Sequence, residues 1–276
     1  MVVLKRSEFR LFSDREESRG EHLVRALHGR HQRIFTSTKI ELDRLRPSRA
    51  GELRSHNPRA RQLWMRTYGG GLAEELGASG PGWTTDQTVY FVTIIDRHQI
   101  VDAPDPDFGG ISNRGRSHDQ LRDAYKGALR GFDYFGMIEP ALYVSTQRVA
   151  GVPRFMLWHM HALVWNTSRE RLERRAEDLR PWFRAYLPYA TGVDVRPVRT
   201  GDLLQMIWYV AKTPMHQYQL AKRESESLQQ YRGPLNGVNT VRLYAAMHEL
   251  QLPDLVLAGG IGCHILRRTC RAARHW

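Results

Sequence analysis

Residues 155–165 read Phe-Met-Leu-Trp-His-Met-His-Ala-Leu-Val-Trp, a run apolar enough to be buried on both faces and interrupted only by His159 and His161. A central strand is the element that suits such a run. Side chains alternate along a strand, so the two imidazoles point to one face, close enough to share a metal ion. Polar rings in an apolar strand must be satisfied by hydrogen bonds or by something bound.

The flanking segments place that strand in a fold. Val89-Tyr-Phe-Val-Thr-Ile-Ile95 reads as a buried strand, followed by a loop to Arg116. Ser117 opens a helix with Gln120 completing a capping box, and Leu121, Ala124, Tyr125, Ala128, Leu129 and Phe132 recur at helical spacing. Two strands, Met137 to Arg148 and Val152 to Trp165, join through Val149-Ala150-Gly151 as a hairpin. A second capping box, Thr167 with Glu170, starts a helix bearing Leu172, Ala176, Leu179 and Phe183. Val193 to Val198 makes a fourth strand, and Asp202 to about Lys212 a third helix. Strand, helix, strand, strand, helix, strand is the split βαβ pattern, so the expected class is α+β, a ferredoxin-like antiparallel sheet with helices on one face. The first and third strands are then central and the second lies at an edge, where Pro140 is tolerated.

Outside that unit, residues 1–80 are basic, with amphipathic pieces at Glu21 to Phe35 and Gly51 to Tyr68. Gly69-Gly70-Gly71 and the Gly77 to Gly82 cluster read as a boundary or flexible loop. The core unit is expected over 81–232, with a polar helical stretch after Pro214. A C-terminal extension over 233–276 has a turn at Gly233 to Gly237, a helix from about Val238 to Leu250 and a basic tail from Arg267.

Charge narrows the partners. The chain carries 41 Lys+Arg against 29 Asp+Glu, a net charge of +12, and only five of the basic residues are Lys. Arginine grips phosphate with a planar fork, so nucleic acid is the first partner to consider. Two cysteines make no disulfide framework, there is no apolar run of membrane-spanning length, and the first residues lack a signal-peptide core; a cytoplasmic protein without membrane contact is expected.

The third helix holds Trp208-Tyr209-Val210-Ala211-Lys212, with Tyr209 and Lys212 on one face and Leu203, Ile207 and Val210 on the core side. The apolar strand VYFVTII, the HxH strand FMLWHMHALVW and the YxxK helix IWYVAK, in that order on a split βαβ pattern, resemble the three motifs of the HUH endonucleases. Relaxases place the tyrosine before the histidines, so the closer likeness is to rolling-circle replication initiators, the Rep proteins of plasmids and phages. The likeness covers about Val89 to Tyr218.

That resemblance implies Mg²⁺ or Mn²⁺ held by His159, His161 and a carboxylate, with Tyr209 as the nucleophile forming a 5'-phosphotyrosine and Lys212 beside it. The run Phe135-Gly-Met-Ile-Glu139 resembles the family's carboxylate element, which makes Glu139 the third ligand. Glu139 lies directly opposite His161 only if the hairpin centres on Ala150; a two-residue turn at Ala150-Gly151 would turn it away, leaving Asp96 as the alternative. Trp208, Arg154 and Gln205 are the candidate DNA contacts, Trp158 and Trp165 could also stack on bases, and Tyr218 is the other tyrosine near the motif. Single-stranded DNA and origin duplex are the implied partners. No G-x-x-x-x-G-K-[ST] loop is present, so strand separation would fall to a separate host helicase. A single-strand transposase would share this chemistry, and a non-catalytic ferredoxin-like module binding single-stranded DNA or RNA is the alternative of a different class.

Overall fold

The computed structural model describes residues 10–28, 53–78, 85–102, 118–144, 153–187, 189–199, 201–222, 228–247 and 250–273. The histidine strand, β3 (Arg154–Trp165), is buried at every position after its first. It pairs antiparallel on both sides, with β1 (Tyr90–Asp102) and with β2 (Asp133–Val144). β4 (Val193–Pro197) lies antiparallel on the far side of β1, giving the order β4-β1-β3-β2 with the first and third strands central. Helix α3 (His118–Ala128) links β1 to β2, and α4 (Arg169–Leu179) links β3 to β4.

The sheet continues beyond those four strands. β5 (His216–Lys222) pairs parallel with β2, β6 (Leu228–Pro234) pairs antiparallel with β5, and β7 (Val256–Gly259) pairs antiparallel with β2. The sheet is therefore mixed, and β2 is interior rather than an edge. Pro140 is accommodated because β7 covers Tyr134 to Met137 and β5 covers Leu142 to Val144, so the proline falls in the gap between them. A missing N–H costs nothing where no ladder partner is offered. The stretch after Pro214, expected to be helical, is a hairpin; alternation of Tyr218 and Leu220 with glutamines has the period of a strand.

Helices cover both faces of the sheet, not one. Odd-numbered residues of β2 and β3 share the histidine face, where Tyr68 stacks on Phe135 with centroids 4.5 Å apart. Even-numbered residues face α3, where His118 meets Trp158 edge-on. α4 lies beside α3, with Arg175 Nε donating to Ala128 O at 2.9 Å. Its N-cap is Ser168, one residue past Thr167, and Ser168 Oγ accepts from Arg171 N at 3.2 Å. Ser117 and the hairpin residues 149–151 lie outside the described residues.

The N-terminal helices α1 (Arg10–His28) and α2 (Pro58–Leu76) share one apolar core with the sheet and with the C-terminal helix α8 (Gly262–Ala273). Gly69, Gly70 and Gly71 lie buried inside α2 instead of forming a boundary loop. At Gly71 the reason is close packing, since an added Cβ would stand 3.3 Å from Ile265 of α8. Between them, α6 (Gly237–Ala245) and the short α7 (Leu252–Leu255) complete the C-terminal part.

These outer helices grip α5 (Leu203–Ala211), the helix of the YxxK motif. The last carbonyls of a helix lack intrahelical partners. Arg61, fully buried on α2, supplies them: its Nη1 donates to Ala211 O and Lys212 O at 2.9 Å each, while Nε donates to Ser55 O at 2.5 Å. Tyr68 donates its hydroxyl to Ile207 O. On α1 the buried carboxylate of Glu16 accepts from Trp208 Nε1 at 3.1 Å, from Thr213 Oγ1 at 2.6 Å and from Thr213 N at 3.3 Å. Replacing Arg61 with Met keeps much of the volume but strands several buried carbonyls, at a cost of about 3 kcal/mol. Urea unfolding should show that loss of stability.

Candidate metal centre

β2 and β3 pair with Glu139 opposite His159 and Met137 opposite His161. The register thus centres on residue 149 rather than on Ala150. Because the register centres on a residue and not between two, Glu139 keeps the histidine face, but its directly opposed partner is His159 and His161 is diagonal. Glu139 Oε1 stands 3.3 Å from His159 Nε2 and 3.2 Å from His161 Nε2, and the two Nε2 atoms are 3.1 Å apart. All three side chains are buried.

These three residues could hold a metal ion. Metal–donor bonds of about 2.1 Å at tetrahedral or octahedral angles separate neighbouring donors by roughly 3.0–3.4 Å, which the three contacts match. Acceptor atoms converging on one point repel unless protons or a cation lie between them. The outer nitrogens are engaged as ligating histidines require: Thr93 Oγ1 meets His161 Nδ1 at 3.0 Å, and Leu157 O meets His159 Nδ1 at 3.4 Å. A bound ion would select the tautomer with the proton on Nδ1, which turns each Nε2 lone pair toward the cluster; without it, Nε2–H can donate to Glu139. Asp96 is buried and accepts from His98 N at 3.0 Å, but it stands outside the group.

Lys212 caps the C-terminus of α5, and its buried ammonium donates to Glu139 Oε1 at 3.1 Å and Oε2 at 3.3 Å. Burial alone would raise the Glu139 pKa, but Lys212 and hydrogen bonds from both histidines hold it well below the usual carboxylate range. For Lys212 burial dominates and lowers its pKa, against the pull of Glu139. Burial likewise brings His161 down to about 4, against the hydrogen bond it donates to Glu139, leaving a neutral imidazole at neutral pH.

Tyr209 stands over this group. Its ring meets His161 at 5.2 Å and Phe91 edge-on at 5.5 Å, and Lys212 Nζ lies 3.9 Å from its centroid. The ammonium therefore touches the ring face and the carboxylate. Burial, then Glu139 and Tyr218, push the Tyr209 hydroxyl up to about 12. Tyr218 sits on β5, stacked on Tyr143 at 5.3 Å within a small aromatic and aliphatic cluster.

The proposed DNA contacts fare differently. Trp208 is buried, stacked on Phe12 at 5.5 Å and hydrogen-bonded to Glu16, so its ring is committed to α1. Trp165 is fully buried, and Trp158 lies on the face away from the histidines. Arg154 begins β3 and by alternation also points away from them. Gln205 is exposed one turn before Tyr209. Thr93 is a contributor that the sequence reading passed over, although its place in the VTII strand opposite His161 carried the signal. Glu16 and Arg61 had no local signal, because both act over long sequence separations. No protein-family model, curated protein or solved structure matches the chain.

With Co²⁺ as a spectroscopic probe, His159→Ala and His161→Ala should each weaken binding at least tenfold. Lys212→Met should strengthen it several-fold by removing a competing cation from Glu139; unchanged affinity in all three variants would exclude this centre. Without metal, the depressed pKa of His161 sets a pH dependence. Between about 6.5 and 4 the unfolded chain binds a proton at this residue and the folded protein does not. Stability is therefore complete above that window and falls as pH drops through it, by up to roughly 3 kcal/mol from this residue. Denaturant midpoints across the window should fall less in His161→Gln than in the wild type.

Proposed function

We propose that the chain is an HUH-type nicking and joining enzyme that initiates rolling-circle replication. The observation that carries this reading is Tyr209, packed against His161 beside the Glu139–His159–His161 group and held on α5, which Lys212 caps. The β4-β1-β3-β2 order, with α3 and α4 on the opposite face, supports an HUH fold.

Glu139, His159 and His161 would hold Mg²⁺ or Mn²⁺. Such an ion, when bound, polarises a phosphate oxygen and offsets charge developing in the transition state. The Tyr209 hydroxyl attacks the scissile phosphorus, loses its proton, and forms a 5'-phosphotyrosine while the displaced 3' oxygen takes up a proton. The phosphodiester bond is exchanged for a tyrosyl ester, so rejoining needs no ATP. Lys212 neutralises Glu139 and fixes the tyrosine ring from its face, which restricts the hydroxyl to one approach. Phe91 and His161 pack the ring on its other sides. The high pKa of Tyr209 keeps the nucleophile protonated in the resting protein, so attack waits for the electrostatic change that substrate and ion bring.

Tyr209→Phe should keep the fold and metal affinity yet form no covalent adduct with single-stranded DNA. Incubation of wild type with Mn²⁺ and labelled origin DNA, followed by denaturing electrophoresis and peptide mapping, should find the label on the Tyr209 peptide. An adduct on Tyr218 would move the nucleophile; no adduct with any divalent ion would leave a binding module.

A further inference from the structure

Of the sequence candidates for nucleic-acid contact, Gln205 alone is exposed near Tyr209 and it carries no charge; Trp208, Trp165, Trp158 and Arg154 are committed to packing or turned away, which leaves open what grips the strand. Register answers this on the histidine face. Arg196 of β4 pairs with Phe91, the ring that stacks on His161 at 5.1 Å and meets Tyr209 edge-on. Arg232 of β6 pairs with Tyr218, which pairs in turn with Tyr143 on that same face. Both arginines are exposed, Arg196 with three quarters of its side chain accessible (75%). They stand on outer strands at opposite ends of the order β4-β1-β3-β2-β5-β6. Phe91 is level with Leu163 and Tyr143 with Phe155, so the line between them crosses the sheet diagonally over the two histidines.

We propose that Arg196 and Arg232 form a two-point phosphate clamp, binding the backbone of a single-stranded polynucleotide on opposite sides of the phosphate presented to Tyr209. This rests on the nicking reading for the identity of that central phosphate. Each guanidinium is oriented by one partner and has other N–H donors to give. Arg196 Nε donates to Asp194 Oδ2 at 2.6 Å, which leaves its terminal nitrogens. Arg232 Nη2 donates to His216 Nδ1 at 2.9 Å, which leaves Nε and Nη1. Burial and the adjacent Arg232 keep His216 neutral, at about 4, so it orients the arginine without adding charge. Among the described residues, the negative groups bonded along this strip are Asp194, paired with Arg196, and Glu139, neutralised by Lys212. Both guanidiniums oppose the rise in the Tyr209 pKa, so their charge reaches the nucleophile. The hairpin β5–β6 thus supplies one jaw of the clamp and β4 the other.

The test uses full-length Tyr209→Phe protein without added metal and fluorescent oligodeoxythymidine as the probe, titrated with salt. Each contact to a single strand contributes about 0.7 to the log-log salt slope. Arg196→Ala and Arg232→Ala should each lower the slope by about that amount and the double variant by twice as much. Arg174→Ala, exposed on α4 behind the sheet, should leave it unchanged. As the oligonucleotide is shortened until it cannot span both jaws, the two losses should cease to add. Slopes equal to the parent in both variants, or losses that still add on the shortest oligonucleotide that binds, would overturn the clamp. If the slopes fall as stated but wild-type protein forms no tyrosine adduct, the clamp stands and the nicking reading fails; if the adduct forms and the slopes do not move, the reverse holds.

Discussion

A carboxylate buried in the middle of an apolar sheet is the constraint around which this molecule is arranged. Glu139 lies on a strand buried at every position after its first, and an uncompensated charge there would cost several kcal/mol. Its compensation comes from the two histidines on the facing strand and from Lys212. The lysine reaches the carboxylate only if the end of α5 is held at one height above the sheet. Arg61 supplies that restraint by binding the carbonyls of Ala211 and Lys212, and Glu16 does so by binding Trp208 and Thr213. The N-terminal helices are in this sense part of the site, although they lend it no ligand.

The parts legible in the sequence were those written locally. Two histidines in an apolar run specify a buried strand and a shared face, and the order of elements specifies which strands are central; both are seen in the structure. Glu139 joins the histidines because hairpin parity decides faces, and parity was the condition the sequence stated without resolving. Tyr209 and Lys212 share the site for a less regular reason. Lys212 is no longer within the helix but caps it, and from there its side chain reaches both Glu139 and the tyrosine ring.

What sequence reasoning missed depends on distant partners. Three consecutive glycines read as a breaker, yet they lie within α2, and at Gly71 the missing side chain permits the close approach of Ile265 on α8, packing that supports the helix. Pro140 read as an edge marker, yet an interior strand tolerates it where two neighbours leave a gap. The β5–β6 hairpin looked polar enough for a surface helix; its strand identity comes from pairing with β2 and from Tyr218 stacking on Tyr143, neither visible in a local window. Trp208 read as a base platform because nothing nearby announces Glu16, nearly two hundred positions earlier in the chain.

Burial also sets the charge balance of the site. Glu139 and Glu16 are countered inside the protein by Lys212, Arg61 and Arg19, so the buried charges nearly balance. In that balanced state the tyrosine hydroxyl stays protonated, for it is shielded from water and faces a carboxylate. A divalent ion at Glu139 would tip the balance toward positive charge, and a phosphate would be the group that restores it. Ion and phosphate would therefore favour each other's binding at this position, and the low-dielectric surroundings would make that coupling strong. An exposed cluster of the same residues would be cheaper to maintain, but solvent screening would leave far less energy to discriminate a bound phosphate from water.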